Sequence, residues 1–190
     1  MRTHHITATI LATAAALALT GCNDPSIKTK PDNAPAQSAP AAPAATNSPK
    51  PQTAAIGSTL TLKGAKDGEQ VAVTVVKWTD PAKPSDDYTK PKDGFRYVAA
   101  QLRLENTGTA PYDDTPGNGA QLADEQGQQF TSTFAEVTAG PQFPGSVKIA
   151  PGGKGLGYVV FEVPADAKIT TLHFALNSGF ADQTGQWDIK

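Results

Sequence analysis

The sequence predicts an all-β domain, an immunoglobulin-like antiparallel β-sandwich of about seven to nine short strands, preceded by a disordered tether. Apolar residues alternate with polar ones over many short segments, which is the period of a half-buried strand. Turn signals rich in Gly and Pro separate these segments, as is typical of sandwiches. No segment shows the sustained i, i+3, i+4, i+7 apolar stripe of an amphipathic helix. The pattern does not separate a sandwich from a small Greek-key barrel.

Nine segments between Ile56 and Lys190 carry the strand pattern. In chain order they are STLTLK (58–63), QVAVTVVKW (70–78), FRYVAAQLRLEN (95–106), GAQLAD (119–124), QQFTST (128–133), SVKIA (146–150), GLGYVVFEV (155–163), ITTLHFALN (169–177) and QWDIK (186–190). The longest places Val98, Ala100, Leu102 and Leu104 on one face. We assign Trp78 and Trp187 to packing.

Three stretches of this pattern resemble a known family. They are GFRYVAAQLRLENTGTAPYD, LADEQGQQF and IAPGGKGLGYVVFEVP, and together they resemble an exported bacterial domain family of unknown function, number four-three-five-two. The family is similar to the immunoglobulin-like fold of a mycobacterial secreted antigen. The resemblance covers most of residues 56–190 and implies the fold, but no agreed catalytic set. Asp124 to Gly127 replaces the Asp-Gly pair common in the family and lengthens that turn.

The first 22 residues have the pattern of an export signal. Arg2 precedes an apolar run from Ile6 to Leu19, which is too short for a membrane-spanning helix of about 20 residues. The run ends in Leu19-Thr20-Gly21-Cys22, which looks like a lipobox. That resemblance implies cleavage after Gly21, acylation of Cys22 and a lipid anchor on the outer face of the cell membrane. Residues 1–21 are therefore predicted to be a lipoprotein signal peptide.

Residues 22–55 form a predicted linker between the lipidated cysteine and the folded domain, which we place at 56–190. The linker is dominated by Pro, Ala, Ser, Thr, Asn and Lys, with Ile27 as its only large aliphatic residue. Such a segment buries too little apolar surface to offset the entropy of ordering. Its prolines favour an extended chain, which would span at most about 100 Å at ~3.1 Å per residue.

Charge and cysteine content restrict the partners and the means of stabilisation. The chain carries a net charge of −2, and residues 56–190 hold 12 basic and 16 acidic side chains. This balance gives no general attraction to nucleic acid. Cys22 is the only cysteine, so the domain contains no disulfide and depends on burial of apolar surface.

Residues suited to catalysis or metal binding are sparse. His173 is the only histidine after the signal peptide, and its position between Leu172 and Phe174 turns it away from the core. No Ser or Cys nucleophile has a partner base at a recognisable spacing. We therefore predict neither an enzyme nor a cofactor. Asp113 and Asp114 are the best of the weak candidates for a calcium site.

Binding is the remaining class of function. Loop aromatics at Tyr88, Tyr112, Phe134 and Phe143 form a candidate partner surface, since sandwiches commonly present recognition residues on loops. The competing interpretation is that these rings cap the core. The first hypothesis is a non-enzymatic binding or assembly module that contacts an envelope protein or a cell-wall component. The alternatives are a small-ligand or calcium sensor and, behind it, a hydrolase.

Overall fold

A computed structural model describes residues 52–189. It contains eleven strands: β1 Gln52–Ala55, β2 Thr59–Lys63, β3 Gln70–Ala82, β4 Phe95–Asn106, β5 Tyr112–Asp114, β6 Ala120–Asp124, β7 Gln129–Thr133, β8 Val147–Ile149, β9 Lys154–Pro164, β10 Ile169–Ala175 and β11 Thr184–Asp188. A short helix α1 spans Pro116–Gly119, and a 3₁₀ turn spans Asn177–Gly179. The predicted signal peptide, Cys22 and most of the linker lie outside the described residues.

Nine strands form one hydrogen-bonded sheet that folds over into two layers. Its order is β1-β11-β10-β6-β7-β9-β4-β3-β2. Strand β7 pairs with β6 on one side and with β9 on the other, so it links the two layers. Every pairing in this sheet is antiparallel except that of β1 with β11. A separate small sheet pairs β5 with β8. The predicted antiparallel β-sandwich is confirmed.

The main core lies between the two layers and is built by the alternating residues of every long strand. Its wholly buried side chains include Val73, Leu102, Phe161, Phe174 and Trp187. The Trp187 indole Nε1 donates to the Ser58 carbonyl at 3.0 Å, which satisfies its one polar atom. Trp78 packs against the edge of the same core. Both tryptophans are packing residues, as the sequence predicts.

Two strands were not predicted, because each carries only one inward-facing apolar residue. Strand β1 lies in the segment predicted as linker, and its Ala54 opposes Trp187 and packs on the core. Strand β5 begins at Tyr112, whose ring is fully buried. The folded part of the chain therefore includes residues 52–55.

Buried polar side chains fix the turns that join these strands. Asn106, 1% exposed, donates to the carbonyls of Ala110 at 2.9 Å and Ile149 at 2.8 Å, and its Oδ1 accepts from the Gly108 amide at 3.0 Å. All its hydrogen-bonding groups are therefore satisfied by the loops that flank β5 and β8, as a buried amide requires.

Arg96 likewise fixes a turn through its hydrogen bonds, at the opposite end of β4. Its guanidinium pairs with both oxygens of Asp80 at 2.7 and 2.8 Å and donates to three backbone carbonyls of the turn after β9. The hydrogen bond with Asp80 raises the pKa of Arg96. Arg96 is the second residue of β4, so these contacts hold the start of the strand.

Candidate recognition surface

One outer face of the sandwich carries a second apolar cluster. On β4 and β9, Tyr97, Ala99, Tyr158 and Val160 point away from the main core and yet are buried. They are covered by the segment between β7 and β8, residues 134–146, which we call the covering loop. Its Ala135 and Val137, both 4% exposed, pack onto them, with Ala139 at the margin. The cover exists because four outward-facing apolar side chains would otherwise lie in water.

Backbone hydrogen bonds hold the covering loop at both ends of its path. Near the loop after β3, the Ser85 amide donates to the Glu136 carbonyl at 2.9 Å, and the Thr138 amide donates to the Lys83 carbonyl at 2.9 Å. On its return, the chain runs parallel to β9, where the Tyr158 amide donates to the Pro141 carbonyl at 2.9 Å.

Gly157 permits this close return path. A Cβ added at Gly157 would lie 2.8 Å from the backbone nitrogen of Phe143, closer than real side chains allow. The Phe143 amide in turn donates to the Tyr158 carbonyl at 3.1 Å. The absence of a side chain at one residue of β9 thus decides where the loop lies.

A groove of about 560 Å³ opens along the covering loop. Pro141, Phe143 and Pro144 contribute apolar walls, and Glu136 contributes a carboxylate. Gln142 also lines the groove, and its amide nitrogen Nε2 is buried with no hydrogen-bond partner among the described residues. An unpaired buried amide costs about 1–3 kcal/mol, and this nitrogen reaches an acceptor on a molecule in the groove only if the Gln142 side chain turns toward it.

The four aromatic residues predicted to form a partner surface do not share one environment. Phe134 at the start of the covering loop is 85% exposed, and Tyr88 in the loop between β3 and β4 is 97% exposed. Phe143 is half-buried and packs against the main core. Tyr112 is 0% exposed, so the prediction that it belongs to an exposed surface is wrong. Its ring fills the core beneath β5 and β8, and this burial raises the pKa of its hydroxyl.

Tyr88 is separated from Phe134 by β9 and β4 in the sheet order. The turn that carries Tyr88 is held by Asp86, whose Oδ1 accepts from the amides of Tyr88 and Thr89, both at 2.8 Å. These hydrogen bonds lower the pKa of Asp86, that from Thr89 most. Of the predicted set, Phe143 lines the groove and Phe134 lines a small recess beside it, whereas Tyr88 lies in the β3–β4 loop, which contributes only Ser85 to the groove.

The two candidate calcium ligands are not brought together. Asp113 pairs with the Lys148 ammonium at 3.0 Å on one side of β5. Asp114 accepts from the Ser178 amide at 2.9 Å and the Ser178 hydroxyl at 2.7 Å, and from the Thr115 amide at 2.7 Å. Within residues 52–189, no group of three or more His, Cys, Asp or Glu side chains is placed to hold a metal ion.

His173 points outward, as predicted, and is half-buried between Gln121 and Gln186 of the neighbouring strands. Phe180 is a surface residue that the sequence argument missed, with 87% of its side chain exposed. The signal was available, since Phe180 follows Asn177-Ser178-Gly179 and lies beyond the alternation that ends at Leu176.

The molecule is therefore an immunoglobulin-like β-sandwich with a covered outer face and a loop-lined groove. The described part of the chain has no helix with the length and apolar character needed to span a bilayer. The chain belongs to the DUF4352 family, a domain of unknown function, which matches residues 64–184. No curated protein matches this chain.

Solved structures share the fold at low sequence identity. The secreted protein MPT63 from Mycobacterium tuberculosis has a TM-score of 0.52 and 20% identity, with 75% of this chain and 100% of that chain covered. The YjhA protein from Bacillus subtilis has a TM-score of 0.50 and 16% identity, with 73% and 99% covered. YcdA from the same organism, named a candidate lipoprotein, has a TM-score of 0.50 and 14% identity, with 68% of this chain and 38% of YcdA covered.

Proposed function

We propose that this protein is a lipid-anchored, non-enzymatic binding module on the outer face of the cell membrane, and that it recognises an extended segment of an envelope protein. The covering loop and its groove are the recognition surface. The observation that carries the proposal is the Gln142 amide nitrogen, buried beside an apolar groove with no partner in residues 52–189.

The chemistry of the groove suits an extended peptide. Proline and phenylalanine walls pack against apolar side chains and pyrrolidine rings. Once the Gln142 side chain turns toward the groove, its amide would donate to a peptide carbonyl and fix the register of the peptide, in a site where few polar groups give orientation. Phe134, which is 85% exposed, supplies a ring that a partner would bury, and aromatic residues are enriched in such interfaces.

The export pattern of the first 22 residues supports the anchor. A thiol directly after Leu19-Thr20-Gly21 is positioned for acylation, and two or three acyl chains at ~0.8 kcal/mol per buried CH₂ make a stable attachment. The secreted and candidate lipoprotein structures that share the fold are consistent with this location. In this protein Cys22→Ala should release the chain from the membrane fraction or leave the precursor uncleaved. An unmodified Cys22 thiol in the mass spectrum of the mature chain would overturn the anchor.

Recognition is tested by affinity purification from solubilised native membranes, with copurified proteins quantified by mass spectrometry. Gln142→Leu removes the donor and keeps an apolar shape, and Phe134→Ala removes the exposed ring. We expect each to lower recovery of the same partner by about tenfold, the effect of roughly 1.4 kcal/mol. Val76→Ala, which shortens an exposed apolar side chain of β3 outside the groove, is the matched control and should leave recovery unchanged. Equal recovery from all variants would refute the groove as the recognition surface.

A further inference from the structure

The other outer face of the sandwich is not covered by any segment of residues 52–189, and its composition is different. The outward-facing side chains at the centre of β6, β7, β10 and β11 are polar, and none is an acid, Lys or Arg: Gln121, Thr131, Thr171, His173, Thr184 and Gln186. We call this the bare face. Asp188, opposite Thr171, lies at the end of β11. Elsewhere the domain is rich in charge, with 28 ionisable acidic and basic side chains in residues 56–190.

A groove of about 210 Å³ lies at one end of the bare face. Its polar lining is Asn118, Gln121, Thr131, His173 and Thr184, with no charged residue. Glycines bring α1 and the 3₁₀ turn close to the end of β10 to form its wall. A Cβ added at Gly119 would collide with the Ala175 carbonyl oxygen, so only glycine allows this approach.

The lining side chains have unused hydrogen-bonding capacity. The side-chain hydrogen bonds of residues 52–189 connect other groups, such as Arg96 with Asp80 and Asn106 with its neighbouring loops. Amide, hydroxyl and imidazole groups each donate and accept. A neutral ligand that presents many hydroxyl groups matches this mixed set, whereas an ionic ligand would find no charge to pair with.

An exposed aromatic ring lies next to this groove along the chain. Phe180 directly follows the lining residue Gly179, and its ring is 87% exposed. Aromatic faces pack against the C–H faces of sugar rings, because both surfaces are apolar and flat. The groove is smaller than the ~300–1,000 Å³ typical of drug-sized ligands, which fits one or two sugar rings of a longer chain.

We propose that the groove formed by Asn118, Gln121, Thr131, His173 and Thr184, together with the exposed ring of Phe180 that follows Gly179, binds a neutral polysaccharide. This site shares no residue with the groove along the covering loop, so the two proposals can be tested independently. In the cell envelope it would give the module a second attachment, to a glycan chain.

The test is an NMR titration of the ¹⁵N-labelled mature chain, made with Cys22→Ser to keep it in solution. The probes are cellohexaose, maltohexaose and chitohexaose, each added to about 10 mM, which detects dissociation constants of roughly 1 mM. We expect at least one probe to shift the amide signals of residues 118–121, 173 and 179–184. No shift with any of the three, or shifts confined to residues 136–144, would overturn the proposal.

Variants distinguish binding at this groove from binding at the groove along the covering loop. Phe180→Ala and Gln121→Ala should each weaken binding by about fivefold or more, and Val76→Ala, at an exposed position that lines neither groove, should not change it. Thr131→Val, which keeps shape and removes only the hydroxyl, serves if Gln121→Ala fails to fold. Unchanged affinity in Phe180→Ala and in the folded lining variant would also contradict the assignment.

Discussion

The two outer faces of the sandwich follow the same strand alternation, but a loop buries one of them and the other is partly open to solvent. On β4 and β9 the outward residues include Ala99 and Val160, which are buried under the covering loop. On β6 and β10 the corresponding positions hold Gln121 and His173, which remain partly open to solvent. Strand geometry sets which residues face outward, and their polarity decides whether the face recruits a cover.

The comparison also separates two kinds of recognition. The covered face offers an apolar groove with one unpaired donor, at Gln142. The bare face offers a set of neutral donors and acceptors around His173. We propose an extended peptide for the first groove and a hydroxyl-rich chain for the second, so the two proposals concern separate surfaces.

The largest expected effect comes from placing a charge under the cover. Val137→Asp puts a carboxylate at a position only 4% exposed, and we expect a loss of about 3 kcal/mol or more in the free energy of unfolding. Thr131→Asp, on the exposed bare face, should change it by at most about 0.5 kcal/mol. Urea denaturation of both variants measures the difference. A loss below about 1 kcal/mol for Val137→Asp would mean that the covering loop detaches without unfolding the domain.

A smaller loss of stability is expected when an added side-chain carbon on β9 fills space that the covering loop occupies. Gly157→Ala places a Cβ 2.8 Å from the Phe143 backbone nitrogen, and this overpacking should cost about 1–3 kcal/mol. Gly145→Ala, with nothing within 4 Å of the added carbon, is the matched control. Thermal unfolding should show a lower Tm for the first and no loss for the second. Equal melting temperatures would contradict the close approach of the loop to β9.

The smallest expected effect is a pH dependence of the free energy of unfolding, and it arises from Glu162 on the covered face. Glu162 accepts from the Lys92 amide at 2.9 Å and pairs with the Lys92 ammonium at 2.9 Å, and these interactions lower its pKa from the ordinary 4.5. A carboxyl whose pKa is lowered by folding stabilises the fold above that ordinary value, and the stabilisation is lost as pH falls through the folded-state pKa.

Glu162→Gln should therefore lower the free energy of unfolding at neutral pH by at most about 1 kcal/mol. The two proteins should converge as the pH falls below the ordinary carboxyl pKa of 4.5. Urea midpoints measured across this range test the sign. A gap that widens on acidification would show that the Lys92 interactions do not favour the ionised form.

Much of the fold could be predicted because alternation is a local property. The strand that contains Val98 and Leu102 and the strand that contains Phe161 both carry it over many residues. Strand β1 and strand β5 could not be found this way, since Ala54 and Tyr112 are their single inward anchors. Their partners lie far along the chain, and pairing over such distances leaves no local signal.

The sequence also indicates the covered face, through continuous apolar runs that burial of one side of a strand does not explain. Residues 98–100 and 158–161 are continuously apolar, apart from the Tyr158 hydroxyl, and such runs indicate strands buried on both sides. The covering segment has its own alternation at Ala135, Val137 and Ala139. No pattern in the sequence predicts the unpaired Gln142 nitrogen, because its surroundings form only when the covering loop packs against β9.

Site-specific photocrosslinking in intact membranes shows which part of the sandwich touches a partner protein. A benzophenone side chain at Glu136 lies in the groove, and one at Phe134 lies in a small recess that shares Gln142 and Phe143 with it. One at Phe180 follows Gly179, which lines the groove of the bare face. We expect the same protein adduct from positions 134 and 136, weakened by Gln142→Leu and absent from position 180. An adduct of equal yield from position 180, or none from 134 and 136, would contradict recognition through the covering loop.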